Sequence, residues 1–172
     1  MKSNLPIRNS VRIILLNNKN EVLLMCINDP KTTSIGEKSS GPFWALIGGD
    51  IKTGETVIEA ARREAFEETG LKKENIKFGP IVWYGELELM LYGKPTYIKE
   101  QYIVAKTNKT EVFLNNLTAD EKNTVKKLSW FSLDQIKKSK EIIYPILLSK
   151  YLPDIINGKY PTKLMNVNLN TP

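Results

Sequence analysis

Histidine is absent from this chain, and that absence excludes more chemistry than any other feature of its composition. Without imidazole there is no His-ligated zinc site, no histidine nucleophile and no Ser-His-Asp triad. Acid–base work is left to carboxylate, lysine, tyrosine or metal-activated water. Cysteine is nearly absent too. Cys26 stands alone, so no disulfide can form within the chain. It lies in the apolar run 22–27, where a buried, inert thiol is expected. No apolar run approaches the ~20 residues that cross a membrane. The N-terminal segment also lacks an apolar secretory core. The cytoplasm is the expected location. Repeats, low-complexity segments and convincing linkers are missing, so one domain over residues 1–172 is expected, with a frayed tail from about residue 160.

What is present suits a folded enzyme-sized unit. The 172 residues are 41% hydrophobic, enough for a sizeable core. The net charge of +6 suits phosphate-bearing ligands in general. The lysines are scattered, as at Lys126, Lys127, Lys137 and Lys138, which reads as solvated surface rather than a nucleic-acid footprint. Residues 11–16 and 21–27 read as a hairpin, and residues 29–42 as a polar, mobile loop. Strands are expected at 43–47, 77–91, 96–105 and 128–131, with a turn at Tyr92 and Gly93. A short helix is expected at 133–138 and a longer one over 142–156, with Pro145 near its start. Residues 107–124 look irregular. One mixed sheet flanked by helices assembles these pieces, an α/β fold.

The densest information lies in residues 49–71, GDIKTGETVIEAARREAFEETGL. Thr56, with Glu59 three residues on, forms a capping box, and Gly70 can end the helix in a left-handed conformation. Between them Val57, Ile58, Ala61, Ala65 and Phe66 make an apolar stripe that can pack on a sheet. Glu64, Glu67 and Glu68 stand at i, i+3 and i+4 beside it. Like charges that close oppose a bare helix, and a divalent cation reverses the sign of that interaction. Upstream, Gly48, Gly49 and Gly54 let backbone approach a ligand closely. Hard oxygen donors of this kind suit Mg²⁺ or Mn²⁺ and phosphate substrates.

The stretch resembles the Nudix box. Gly49, Glu55, Arg63, Glu64, Ala65, Glu67, Glu68, Gly70 and Leu71 fill every defined position. By ordinary residue frequencies such a match should occur in roughly 10⁻⁹ of windows. A weaker resemblance runs from about residue 11 to about 136. Residues 44–49 look like the family's strand into the box, with Ile47 where proline often stands. Residues 130–133 look like its late strand and following helix. The resemblance implies an α/β/α sandwich and Mg²⁺-dependent hydrolysis of a nucleoside diphosphate linked to another moiety. It implies Glu67 and Glu68 as main metal ligands, with Glu64 and the Gly48 carbonyl as further ones. Arg63 would orient the carboxylates. Glu55 and Gly49 would stand behind them, Glu55 fixing the loop. The general base could be Glu64, or a downstream carboxylate such as Glu121 or Glu100.

Other readings compete with this one. A catalytically silent ligand sensor would not need the full carboxylate set. An enzyme acting on RNA 5′ ends would be favoured by a clustered basic groove, which the sequence lacks. Isopentenyl diphosphate isomerase shares the fold type but depends on histidine. Trp44, Trp83, Tyr84 and Tyr102 could stack a base, although core packing is the commoner role. Trp130 and Phe131 must point to opposite sides of a strand, so at most one of them is expected to face the core. Exposed sheet edges make a homodimer reasonable. No marker assigns a substrate subfamily.

Overall fold

The structure, a computed structural model, describes residues 4–39, 41–114, 116–167 and 169. Along the chain run β1 (Ile7–Leu16), β2 (Val22–Ile27), β3 (Thr32–Ser34), β4 (Phe43–Asp50), α1 (Val57–Thr69), β5 (Lys77–Leu91) and β6 (Lys94–Lys106). There follow α2 (Ala119–Thr124), β7 (Val125–Phe131), α3 (Leu133–Lys138), β8 (Ile143–Tyr144), α4 (Leu148–Ile156) and β9 (Met165–Asn166). The strands join one mixed sheet. β1 runs parallel to β6 and antiparallel to both β2 and β4. β5 and β6 form a long hairpin whose turn places Tyr92 and Gly93 at positive φ, the backbone that a tight hairpin turn requires.

The apolar runs are buried on both sides. Along β1, Val11, Ile13 and Leu15 point to one core, Ile14 and Leu16 to the other. Ala60, Ala61 and Ala65 of α1 close the first core. Leu148, Leu152 and Ile155 of α4 close the second. A sheet covered on both faces reads as a continuous hydrophobic run rather than an alternating one. Trp130 and Phe131 do point opposite ways, but each reaches a core of its own. The second layer of helix and tail provides a place for both. Trp44, Trp83 and Tyr102 are buried core residues, and Cys26 is a buried free thiol whose pKa burial pushes up.

Three expectations give way. The 142–156 segment is helical only over Leu148–Ile156. Ile143–Tyr144 pairs instead with Trp44 and Ala45, where the open edge of β4 offers backbone partners. Part of the 29–42 loop forms β3 on the edge of β5, with Asp29 accepting from the Lys31 amide and the Thr32 hydroxyl at 2.9 and 2.7 Å. The frayed tail expected from about residue 160 is not found at residues 165–167 and 169, while residues 168 and 170–172 lie outside the described ones. Met165–Asn166 pairs with β5, the Val167 amide donates to the Tyr84 carbonyl at 2.8 Å, and Val167 and Leu169 are buried. Gly85 makes the room, since a Cβ there would stand 2.6 Å from Leu169 Cδ1. Among the described residues no helix is long and apolar enough to cross a membrane.

Candidate active site

α1 is set by its ends. Thr56 Oγ1 accepts from the Glu59 amide at 3.3 Å, and Glu59 Oε2 accepts from the Thr56 amide at 2.8 Å. Gly70 ends it at φ 72°, its amide bonded to the Phe66 carbonyl. The three alanines let the helix lie close on the sheet. Val57 and Ile58 pack at the edge of that contact, while Phe66 is 44% exposed rather than part of the stripe. The resulting rotation buries Glu64 and Glu68, at i and i+4, against the end of β4.

Two glycines make that approach possible. The Gly48 amide donates to Glu68 Oε2 at 2.7 Å. Its φ of +131° puts a hypothetical Cβ 2.1 Å from the Val11 carbonyl oxygen. At Gly49 a Cβ would stand 2.7 Å from Glu64 Oε1. Glycine at both positions therefore lets strand backbone face two carboxylates directly.

Arg63 ties the loop to the helix. Its Nε and Nη2 donate to the two oxygens of Glu55 at 2.7 and 2.9 Å, and Nη2 also reaches the Asp50 carbonyl at 2.7 Å. Nη1 donates to Glu64 Oε1 at 2.6 Å and to Glu67 Oε2 at 3.2 Å. These bonds from Arg63, with the Lys52 amide, hold Glu55 down to about 2. The hydrogen bonds that Arg63 donates to Glu55 in turn raise the pKa of its guanidinium. Lysine cannot reproduce a fork of this reach. Arg63→Lys is therefore expected to lower turnover about 10- to 100-fold, the usual cost of disturbing groups that orient ligands. A steady-state comparison with wild type, at matched far-UV circular dichroism, checks it.

The structure brings Glu64, Glu68 and Glu121 together, each with an oxygen within 4.8 Å of the others. Glu121 comes from α2, whose cap repeats that of α1: Glu121 Oε2 accepts from the Thr118 amide and hydroxyl, both at 2.7 Å. Burial, followed by the charge of its neighbours, raises the pKa of Glu68 well above the ordinary range. Burial also raises Glu64, against the pull of Arg63. Three hard oxygens under that electrostatic load could hold a divalent cation, which would offset the crowding of negative charge. Glu67 stands outside this trio, at the rim with Arg63.

Glu100 lies elsewhere. It sits on β6, where one oxygen accepts from Arg12 Nε at 2.8 Å and the other from the Tyr102 hydroxyl at 2.6 Å. Arg12 Nη1 donates to the Gly48 carbonyl at 3.1 Å, so a guanidinium takes one lone pair of that expected ligand. Arg12 is a functional candidate that the motif does not mark. The available signal was a charge inside the apolar run 11–16, which both faces of the sheet bury. An open cleft of about 530 Å³ adjoins the loop after β4, lined by Asn9, Lys52, Thr53 and the ion-paired Arg8 and Asp50.

A family model described as NUDIX domain matches residues 6–149. The chain is 42% identical over 76 residues to an oxidized purine nucleoside triphosphate hydrolase of Danio rerio, a match over 39% of this chain and 47% of that protein. It is 37% identical over 71 residues to an RNA pyrophosphohydrolase of Pelagibacter ubique, over 41% of this chain and 39% of that protein. The chain thus spans less than half the length of either curated relative. Among solved structures, a MutT protein from Methanosarcina mazei Go1 superposes with a TM-score of 0.58 at 22% identity, covering 92% of this chain and 98% of that one. At that identity the likeness speaks for the fold.

Proposed function

The chain belongs to the NUDIX domain family, and from that premise we propose that it hydrolyses a phosphoanhydride bond in a nucleoside diphosphate linked to another moiety, using Mg²⁺ or Mn²⁺. The observation that carries the reading is the convergence of Glu64, Glu68 and Glu121 beside the Gly48 amide. Glu64, Glu68 and Glu121 would hold the cation, with Glu67 close by at the rim. A cation bound there supplies neutralisation of phosphate oxygens and activation of a water. The chain's own residues do the rest. The Gly48 amide keeps Glu68 in place, and Arg63 fixes Glu64 and Glu67 relative to the loop. Proton acceptance falls to Glu64 or Glu121. Glu100 is unsuited to it, since both its oxygens are engaged by Arg12 and Tyr102. In the cleft Arg8 is paired with Asp50, and Lys52 offers positive charge next to the loop for a phosphate-bearing substrate.

The relatives' names set the range to test. One is named for oxidized purine nucleoside triphosphates and the other for RNA. Purified protein should be assayed on these, with unmodified nucleoside triphosphates, nucleoside diphosphate sugars, ADP-ribose and dinucleoside polyphosphates, with and without Mg²⁺. We expect turnover of one class that a chelator abolishes and Mg²⁺ restores, and that Glu121→Gln lowers about 100-fold or more, as loss of a positioned carboxylate does. Turnover that persists in chelator would overturn the metal role. Ligand binding without any turnover would favour a sensor.

A further inference from the structure

Arg12 lies opposite Gly48 across the β1–β4 pairing and opposite Tyr102 across the β1–β6 pairing. Its side chain bonds Gly48 directly and is linked to Tyr102 through Glu100. The fork spans from Glu100 Oε1, 2.8 Å from Nε, to the Gly48 carbonyl, 3.1 Å from Nη1. Glu100 is itself anchored by the buried Tyr102 hydroxyl at 2.6 Å. On its other side the same Gly48 residue donates its amide to Glu68 at 2.7 Å. A continuous chain of hydrogen bonds therefore runs from Tyr102, in the core closed by α4, through Glu100, Arg12 and Gly48, to a carboxylate of the trio. Gly48 has no side chain to lock it, and glycine adopts its φ of +131° freely, so the orientation of its peptide is set by the hydrogen bonds it makes.

We propose that Arg12 is a positioning residue for the cation site, holding the Gly48 peptide so that its amide keeps Glu68 in place among the carboxylates of the trio. The inference rests on the metal-dependent reading above. Glu100 has two parts in it. It holds the fork in line, and its charge cancels that of Arg12, so the carboxylate trio keeps its full attraction for a cation. An ion pair serving only to pair two part-buried charges would not fix the Gly48 peptide. Arginine is required because its planar fork reaches two acceptors at once, whereas lysine presents a single point.

The test is Mn²⁺ binding to the full chain without substrate, read from the electron paramagnetic resonance signal of free Mn²⁺, alongside thermal melts. Arg12→Gln should raise the Mn²⁺ Kd about tenfold or more, the range found when groups orienting metal ligands are removed. Arg12→Lys should fall between it and wild type, and Tyr102→Phe, which removes only the outermost link, should change the Kd least. In turnover, kcat should fall more than KM rises. A lowered melting temperature with an Mn²⁺ Kd indistinguishable from wild type would overturn the proposal and leave Arg12 a structural ion pair. Should Arg12→Gln fail to fold, Arg12→Lys carries the test. It keeps the charge and loses the fork, so it must still weaken Mn²⁺ binding, and an unchanged Kd sinks the idea. Failure of the underlying reading looks different: wild type itself would then bind no Mn²⁺, or Glu68→Gln would bind it as well as wild type.

Discussion

Glu68→Gln is expected to lower turnover by at least about a thousandfold while leaving the protein folded. A metal's charge stabilisation is worth several kcal/mol, and each ~1.4 kcal/mol is a factor of ten in rate. The substitution should not harm the fold, for a reason that follows from the sign of the linkage. Burial and then the charge of Glu64 raise the Glu68 pKa in the folded state. A carboxyl raised on folding opposes folding once pH exceeds its unfolded value, because the folded chain then holds a charge it disfavours. Glutamine removes that charge, and its carbonyl oxygen can still accept from the Gly48 amide. Without metal, the variant should therefore melt at the same temperature as wild type or higher. With Mg²⁺, wild type should gain stability by mass action and the variant should not. Melts with and without Mg²⁺, set beside single-turnover rates, read both effects. A near-normal rate would remove Glu68 from the proposed site.

Alanine at the two adjacent glycines should separate fold from chemistry. At Gly48 the new Cβ would meet the Val11 carbonyl at 2.1 Å, a backbone atom of β1 that cannot step aside. The positive φ adds strain of about 1–3 kcal/mol, and overpacking a similar amount. At roughly 2–4 °C per kcal/mol for a chain of this size, Gly48→Ala should melt roughly 10 °C lower or fail to fold. At Gly49 the obstacle is the Glu64 carboxylate, 2.7 Å away, which is the far end of a side chain. Gly49→Ala should keep most of its stability and lose activity about 10- to 100-fold, because Glu64 must leave Arg63 or the trio. Differential scanning calorimetry and initial rates on the pair decide it. Equal stability losses would mean that the strand, not the carboxylate, yields at Gly49.

How far the sequence reached is clearest at α1. Its cap and its glycine stop are local, and the structure has them as read. The long strands and the α/β class were legible for the same reason, since periodicity is written in neighbouring residues. Glu67 against Glu64 was not. Both face roughly the same way, and only the docking angle of α1 decides which is buried. Glu100 looked like a free carboxylate because its partners, Arg12 and Tyr102, reach it across strand pairings that no local pattern encodes. β8 and β9 were missed because two-residue strands have no period of their own. The alternation of Val167 and Leu169 was a signal that could have been read.

The cap that holds Glu121 sits on an element that could not persist alone. Six residues of helix are far below the length at which an isolated helix is stable. α2 is held by its Thr118 cap and by the Thr124 carbonyl, which accepts from the Asn28 amide at 2.9 Å. Two members of the trio belong to a rigid scaffold, and the third belongs to a segment ordered by few contacts. A cation gripped by all three would act as a clasp, drawing α2 onto α1 and slowing amide exchange there. Losing the clasp would cost the site a wall before it cost the protein its fold. Cation affinity and local order in this corner of the molecule would then be coupled, each reading the other.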